Sequence, residues 1–243
     1  MRIITTIILG LFLATSLSGQ RAAKFFWFDT GVKAQYGATG MYNQAIVDSD
    51  TWRYDISTGY SVGAKLGLNK GTSGLTIDVM AAQGTQAFED ARDPAVLNTT
   101  ELNWNSIDIY TLYRNNRQLG YFELGPKFSV LRGAEYTNSD GSVDDVLDNY
   151  ETNNINAVLG FGAYFIGTDG AFSGILGLRF EYGITDIVNP SGHVNGSPVQ
   201  DMNIDTGSTI THPVFAGISF ELNWGIGYVG KASCGGRAKF VKF

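Results

Sequence analysis

Residues 54–68 read YDISTGYSVGAKLGL. Every second position, Tyr54, Ile56, Thr58, Tyr60, Val62, Ala64, Leu66 and Leu68, is apolar or amphipathic, and between them lie Asp55, Ser57, Gly59, Ser61, Gly63, Lys65 and Gly67. Neighbouring side chains of a strand point to opposite faces, so this alternation predicts one strand with an apolar and a polar face. The run is long. Strands of soluble domains cluster near about 5–6 residues, whereas a strand tilted across a bilayer needs about 9–11.

The same pattern recurs seven times: at 26–36, 75–81, 107–113 (less cleanly), 122–130, 155–165, 176–184 and 214–228. Eight such runs are an even number, as a single-chain bacterial outer-membrane barrel requires. With parity fixed from the apolar residues alone, Asp29, Lys33, Asp55, Lys65, Asp78 and Asp108 all fall on the other face. So do Glu123, Lys127, Arg179, Glu181 and Glu221. A soluble sandwich or lipocalin-like barrel would turn its charges out and its apolar side chains in. The inventory decides: the charged face is crowded with Gly and Ser, and the apolar face carries Trp224, Phe180 and Tyr60, which suits lipid around a narrow polar interior. The fold class is therefore all-β, an eight-stranded antiparallel transmembrane barrel.

Connection lengths agree. Short links at 69–74, 114–120 and 168–172 alternate with long ones near 40–51, 89–101, 135–152 and 188–212. Outer-membrane barrels pair short periplasmic turns with long outer loops, which puts both chain ends in the periplasm. Pro126 falls inside a run, and because proline removes a ladder hydrogen bond, a bulge is expected there.

Met1, Arg2 and the apolar stretch that follows, ending in Ala14, Ser16, Ser18 and Gly19, read as a secretory signal over residues 1–19. The barrel then spans 20–230, and 231–243 form a basic periplasmic tail. The chain holds 243 residues, 31 of them Gly, with 16% charged and a net charge of −6, a balance that repels nucleic acid. Cys234 is the only cysteine, so no intramolecular disulfide or multi-cysteine zinc site can form, and no cofactor is implied.

Residues 121–131 (YFELGPKFSVL) and 177–187 (GLRFEYGITDI) resemble the strand motifs of the PorT-like outer-membrane β-barrel proteins. The likeness runs over most of the mature chain and includes Pro126. It implies an eight-stranded barrel in the cell outer membrane, surrounded by outer-membrane lipid. It further implies other envelope proteins as partners, since a few members serve secretion machinery. The tail departs from the family's habit of ending at an aromatic closing the last strand. About fifteen residues follow Tyr228, and Lys231, Arg237, Lys239, Lys242 and Phe243 are read as a partner-docking segment or an assembly signal.

Chemistry is expected in three places. The inward charges form a salt-bridge and hydrogen-bond network rather than an ion path, because an eight-stranded barrel is just wide enough for its side chains to fill. The long loops are acidic, and Asp140, Asp144, Asp145 and Asp148 cluster in one of them; an EF-hand fails there, since aligning Gly141 puts Tyr136 and Leu147 where carboxylates belong. A rim hydrolase would need His193 or His212 with Ser191, Ser197 or Asp201, and no motif supports it. Trp52, Tyr54, Trp104, Tyr121, Tyr136 and Tyr228 are expected in interface girdles. The reading is a non-enzymatic subunit or accessory of an envelope assembly; the alternative is a stand-alone, adhesin-like barrel displaying acidic loops.

Overall fold

The computed structural model describes residues 26–92, 98–117, 119–167 and 172–226. The signal segment, Tyr228 and the tail residues Lys231, Arg237, Lys239, Lys242 and Phe243 lie outside the described residues. Eight long strands carry the architecture: β1 (Phe26–Tyr42), β3 (Ser57–Lys70), β4 (Ser73–Asp90), β5 (Asn98–Asn116), β6 (Gly120–Thr137), β8 (Asn153–Gly167), β9 (Phe172–Gly183) and β10 (His212–Ile226). Each pairs antiparallel with its neighbour, and β1 also pairs with β10, so the sheet closes on itself. Closure leaves the long strands no free edge, which is what a sheet in hydrocarbon needs. Two short strands stand outside the ring: β2 (Trp52–Asp55) on β4 and β7 (Val143–Asp145) on β6.

Polarity is inverted relative to a soluble barrel. Leu66 is 64% and Val62 56% exposed on the outside, whereas Lys33 and Lys65 inside are each 1% exposed. On the β3–β6 wall the register stacks these side chains in rows that run square to the tilted strands and climb toward the loop end from β3 to β6. Val62, Ala81, Ile107 and Val130 form one, and Leu68, Leu75, Tyr113 and Leu124 another. On β3, β4 and β5 the rows immediately beyond are polar: Lys70, Ser73 and Asn115 at one end, Tyr60, Gln83 and Asn105 at the other, the first of them running on to Phe122 of β6. Ten residues of strand separate Tyr60 from Lys70, about 34 Å along a strand and about 26 Å along the axis at a 40° tilt, close to the ~25 Å apolar band of such barrels.

The turns are tighter than the sequence suggested. Gly71 and Thr72 alone join β3 to β4, with Gly71 at φ 65° where a two-residue hairpin demands it. The expected bulge at Pro126 is not there. Pairing of β6 with β5 is interrupted opposite Thr111 and Leu112 but resumes in the same register, and Pro126 keeps its place opposite Ala157. The register shifts occur instead at Arg132, between partners Asn105 and Ser106, and at Phe165 in β8.

At the loop end β4, β5 and β6 continue past the belt, and the long loops fold over the mouth. The first holds helix α1 (Gln44–Val47), capped by the Asn43 side chain accepting from Ala45 N, and the fourth holds helix α2 (Pro190–Val194), capped in the same way by Asn189.

Candidate functional site

The interior of the ring is a buried ion-pair network. Lys33 Nζ lies 2.9 Å from Asp78 Oδ2, 3.4 Å from Glu123 Oε1 and 2.7 Å from Glu221 Oε1. Arg114 bridges the same two glutamates, 2.5 Å from Glu123 Oε2 and 2.8 Å from Glu221 Oε1, and Arg179 pairs with Glu123 and Asp78. Lys65 extends the cluster toward the turn end, 2.6 Å from Asp29 and 3.5 Å from Glu221. Toward the loop end Lys127 sits 2.6 Å from Glu181 and 3.3 Å from Asp108. Tyr110 joins the two groups: its ring stacks on Arg179 and its hydroxyl donates to Glu181. Burying single charges costs several kcal/mol each, so the arrangement holds because every charge has an opposite partner and all but Asp29, Asp108 and Glu181 have more than one.

Ten of the eleven lumen residues read from the sequence are brought together in this way. Asp55 is the correction. The alternation that placed it inside runs through Ile56, but the chain breaks there: Ile56 is 88% exposed, and Asp55 belongs to β2, which pairs with β4 beyond the belt. Its exposed carboxylate accepts from Ile56 N at 2.7 Å and meets no lumen cation. Arg114 was missed because the sequence placed it in a turn, although it shares the parity of Asp108 and Tyr110 and β5 runs on to Asn116. Tyr121, expected in a girdle, lies inside with its ring 3.8 Å from the Arg114 guanidinium and its hydroxyl donating to Glu221.

Above the network lies a cavity of about 60 Å³, with Asp108, Lys127 and Glu181 on its floor and Trp104, Leu131 and Phe215 higher up. Over it the strand ends and the loops build a hydrophobic core from Met41, Ile46, Trp52, Phe88, Leu102, Tyr136, Tyr150, Ile187 and Val199, among others. Trp52 and Tyr136 are thus buried in a cap, and Tyr54 and Trp104 pack against it rather than forming a lipid girdle. Outward aromatics such as Phe28, Phe172 and Trp224 take the belt positions instead.

One clasp ties the cap loops together. Arg92 chelates Asp90, reaches Asp201 at 3.3 Å and lies over the ring of Trp52, whose Nε1 donates to Asp201 at 3.0 Å. Burial pushes the Asp201 carboxyl up, but hydrogen bonds from Asn203 and Trp52 and the charge of Arg92 outweigh it and hold it below the ordinary aspartate value. Burial of the Tyr54 hydroxyl, only partly offset by its bond to Asn43, pushes that phenol up to about 12.

The acidic loop residues do not converge. Asp140 accepts from Ser142 N, Asp144 from Asn138 and Asp145 from Leu147 N, and all three, with Asp148, are exposed. Among the described residues no group of His, Cys, Asp and Glu side chains is placed to hold a metal ion. His193 meets neither Ser191, Ser197 nor Asp201; its Nε2 lies 3.1 Å from Asp186 Oδ2 and its Nδ1 3.2 Å from Thr206 Oγ1. Thr206 is fully buried, so its hydroxyl faces no substrate. His212 stacks on Tyr182 and bonds the Gly183 carbonyl.

A closed antiparallel ring with an apolar exterior and charges packed inside defines an outer-membrane type β-barrel. The chain belongs to the outer membrane protein beta-barrel domain family, whose model matches residues 27–189. Among solved structures it is similar to the neisserial surface protein A, NspA, with 11% identity over 83% of this chain and 97% of that one and a TM-score of 0.39. It is also similar to Ail, the attachment invasion locus protein of Yersinia pestis, at 14% identity over 80% and 98% with a TM-score of 0.36. A third is OprG of Pseudomonas aeruginosa, at 11% identity over 84% and 96% with a TM-score of 0.33. No curated protein matches the sequence.

Proposed function

We propose that this is a non-conducting, non-enzymatic outer-membrane barrel whose working surface is the folded cap, held at the cell exterior as an acidic recognition platform. The observation that carries it is the double closure of the lumen. Lys33, Asp78, Glu123, Arg179 and Glu221, each at most 1% exposed, fill the mid-section, and a hydrophobic core covers the mouth. A loop end built only for solvation would not bury Trp52, Phe88 and Tyr136; rigid loops lower the ordering cost of binding. Loop length supports this orientation, with long loops outward and both ends of the ring periplasmic. Protease treatment of intact cells should cut within 184–211 and leave the short turns alone.

A role as subunit of a larger envelope assembly is the second reading, favoured by the PorT-like likeness of 121–131 and 177–187 and by the basic tail. Purification of the tagged protein from its native outer membrane in mild detergent, with mass spectrometry of what stays at near-stoichiometric amounts, separates the two. A partner lost on deletion of 231–243 supports the assembly role. A partner lost only when the cap loops are exchanged supports the platform. A lone barrel that conducts ions in planar bilayers overturns the closed reading.

A further inference from the structure

The polar row at the loop end of the lipid belt has an unusual member. Tyr60 pairs with Gln83 and Gln83 with Asn105, and opposite Asn105 the ladder of β6 takes in an extra residue, Arg132. Bulges re-aim side chains, and this one sets an exposed arginine between the buried Leu131 and Ala134. On β6 itself the outward side chains beneath it, Phe122, Leu124, Phe128 and Val130, are apolar, and Arg132 is the first charge above them, at the loop-end edge of that strand's apolar run where headgroups lie.

The other described cations are accounted for. Lys33, Lys65, Arg114, Lys127 and Arg179 are buried in ion pairs, and Arg92 is held by Asp90 and Asp201. Lys70 and Arg117 lie at the turn end. Arg53 stands higher on β2, opposite Glu89, well above the belt. Among the described residues Arg132 is therefore the cation at the loop-end edge of the apolar surface, with the amide side chains of Asn105 and, one strand further, Gln83 on the β5 side of it. Glu135, the next outward-facing charge up the strand, repels an anion arriving from above and leaves the membrane side as the open approach.

We propose that this row is a docking site for the phosphorylated saccharide headgroup of an outer-leaflet glycolipid, with Arg132 on the phosphate and Asn105 and Gln83 on the sugar hydroxyls. A guanidinium presents a planar fork that fits phosphate oxygens, and neighbouring amides both donate and accept. The assignment rests on the proposed outward orientation of the loop end, which protease treatment of intact cells tests independently.

The test uses the full chain, refolded and extracted from vesicles of phosphatidylcholine containing diphosphorylated lipid A, with retained glycolipid counted by native mass spectrometry. The wild type should keep one glycolipid. Arg132→Ala, checked for folding by its heat-dependent gel shift, should retain it about tenfold less, the loss of one charge-assisted contact. Arg132→Lys should recover part of the binding, and Arg53→Ala, removing the same charge away from the belt, should have no effect. Equal retention by Arg132→Ala, equal retention of dephosphorylated lipid A by the wild type, or an equal loss in Arg53→Ala would each overturn the proposal.

Discussion

The guanidinium of Arg179 lies 4.7 Å from the ring centroid of Tyr110, inside the barrel and out of reach of solvent. That ring is the seam between two charge clusters, since the Tyr110 hydroxyl donates to Glu181 at 3.0 Å while Arg179 turns the other way to Glu123 and Asp78. Tyr110→Phe keeps the stacking and leaves Glu181 one donor short, a cost of about 1–3 kcal/mol. The gel-shift midpoint in detergent should fall accordingly, and Tyr110→Leu, which also gives up the cation–π contact, should fall further.

Arg114, which the sequence placed in a turn, makes four hydrogen bonds to the two central glutamates. It spans Glu123 and Glu221, so Arg114→Met leaves two buried carboxylates facing one another with fewer cations between them. Removing one partner of a buried pair typically costs about 3–5 kcal/mol. Unfolding in urea should shift by that order, and Glu123→Gln placed in the Arg114→Met background should recover part of the loss. Additive losses in the double variant would show that the two residues do not share one network.

What the sequence made legible and what it hid divide along a physical line. Period-two alternation is a local property, so the eight strands, their facing and most of the lumen charges were readable from parity. Asp55 was misplaced because alternation does not register a break such as that at Ile56, and Arg114 was lost because strand ends have no sharp signal. The bulge at Arg132 adjoins Gly133, one glycine among 31 and so no signal by itself, and the bulge at Phe165 has neither glycine nor proline beside it, while Pro126 announces one that is absent. The cap was invisible. Ile46, Phe88, Leu102, Ile187 and Val199 lie far apart in sequence with no period, and only the closed ring brings them to one end.

Asp55 and Asp78 test that division directly, since the same alternation assigned both to the lumen. Asp55 is exposed beyond the belt, and Asp78 is fully buried 2.9 Å from Lys33. Asp55→Ala should therefore leave stability within about 0.5 kcal/mol. Asp78→Ala should cost about 3–5 kcal/mol, because Lys33 and Arg179 lose a shared counter-charge. Similar losses for the two variants in urea titrations would contradict the break at Ile56.

Phe88 sits fully buried in the cap, next to Tyr54 at a ring separation of 5.6 Å, beyond the belt. Truncation to Ala removes a large side chain from a packed core, a loss of about 3–5 kcal/mol where the site does not collapse. The loss should appear locally. Protease cleavage within 184–211 should accelerate, while the gel-shift midpoint of the ring changes little, because the ion network below shares no side chain with the cap core. A matched fall in both would mean that cap and ring unfold as one unit.

Acid should loosen the clasp in a defined window. Asp201 is held below the ordinary aspartate value, so it binds its proton later in the folded cap than in an open one. Such a group contributes stability that is fully present above the unfolded value, about 3.9, and is lost as pH falls through the lower folded value. Hydrogen exchange of residues 198–204, corrected for the intrinsic rate, should be flat from neutral pH down to about 4 and rise below it. Asp201→Asn still accepts from Trp52 but cannot pair with Arg92, so its exchange should be faster at neutral pH and lack most of the acid rise. An acid rise undiminished in Asp201→Asn would assign it to other carboxylates, with Asp90, also held low by Arg92, the next to replace.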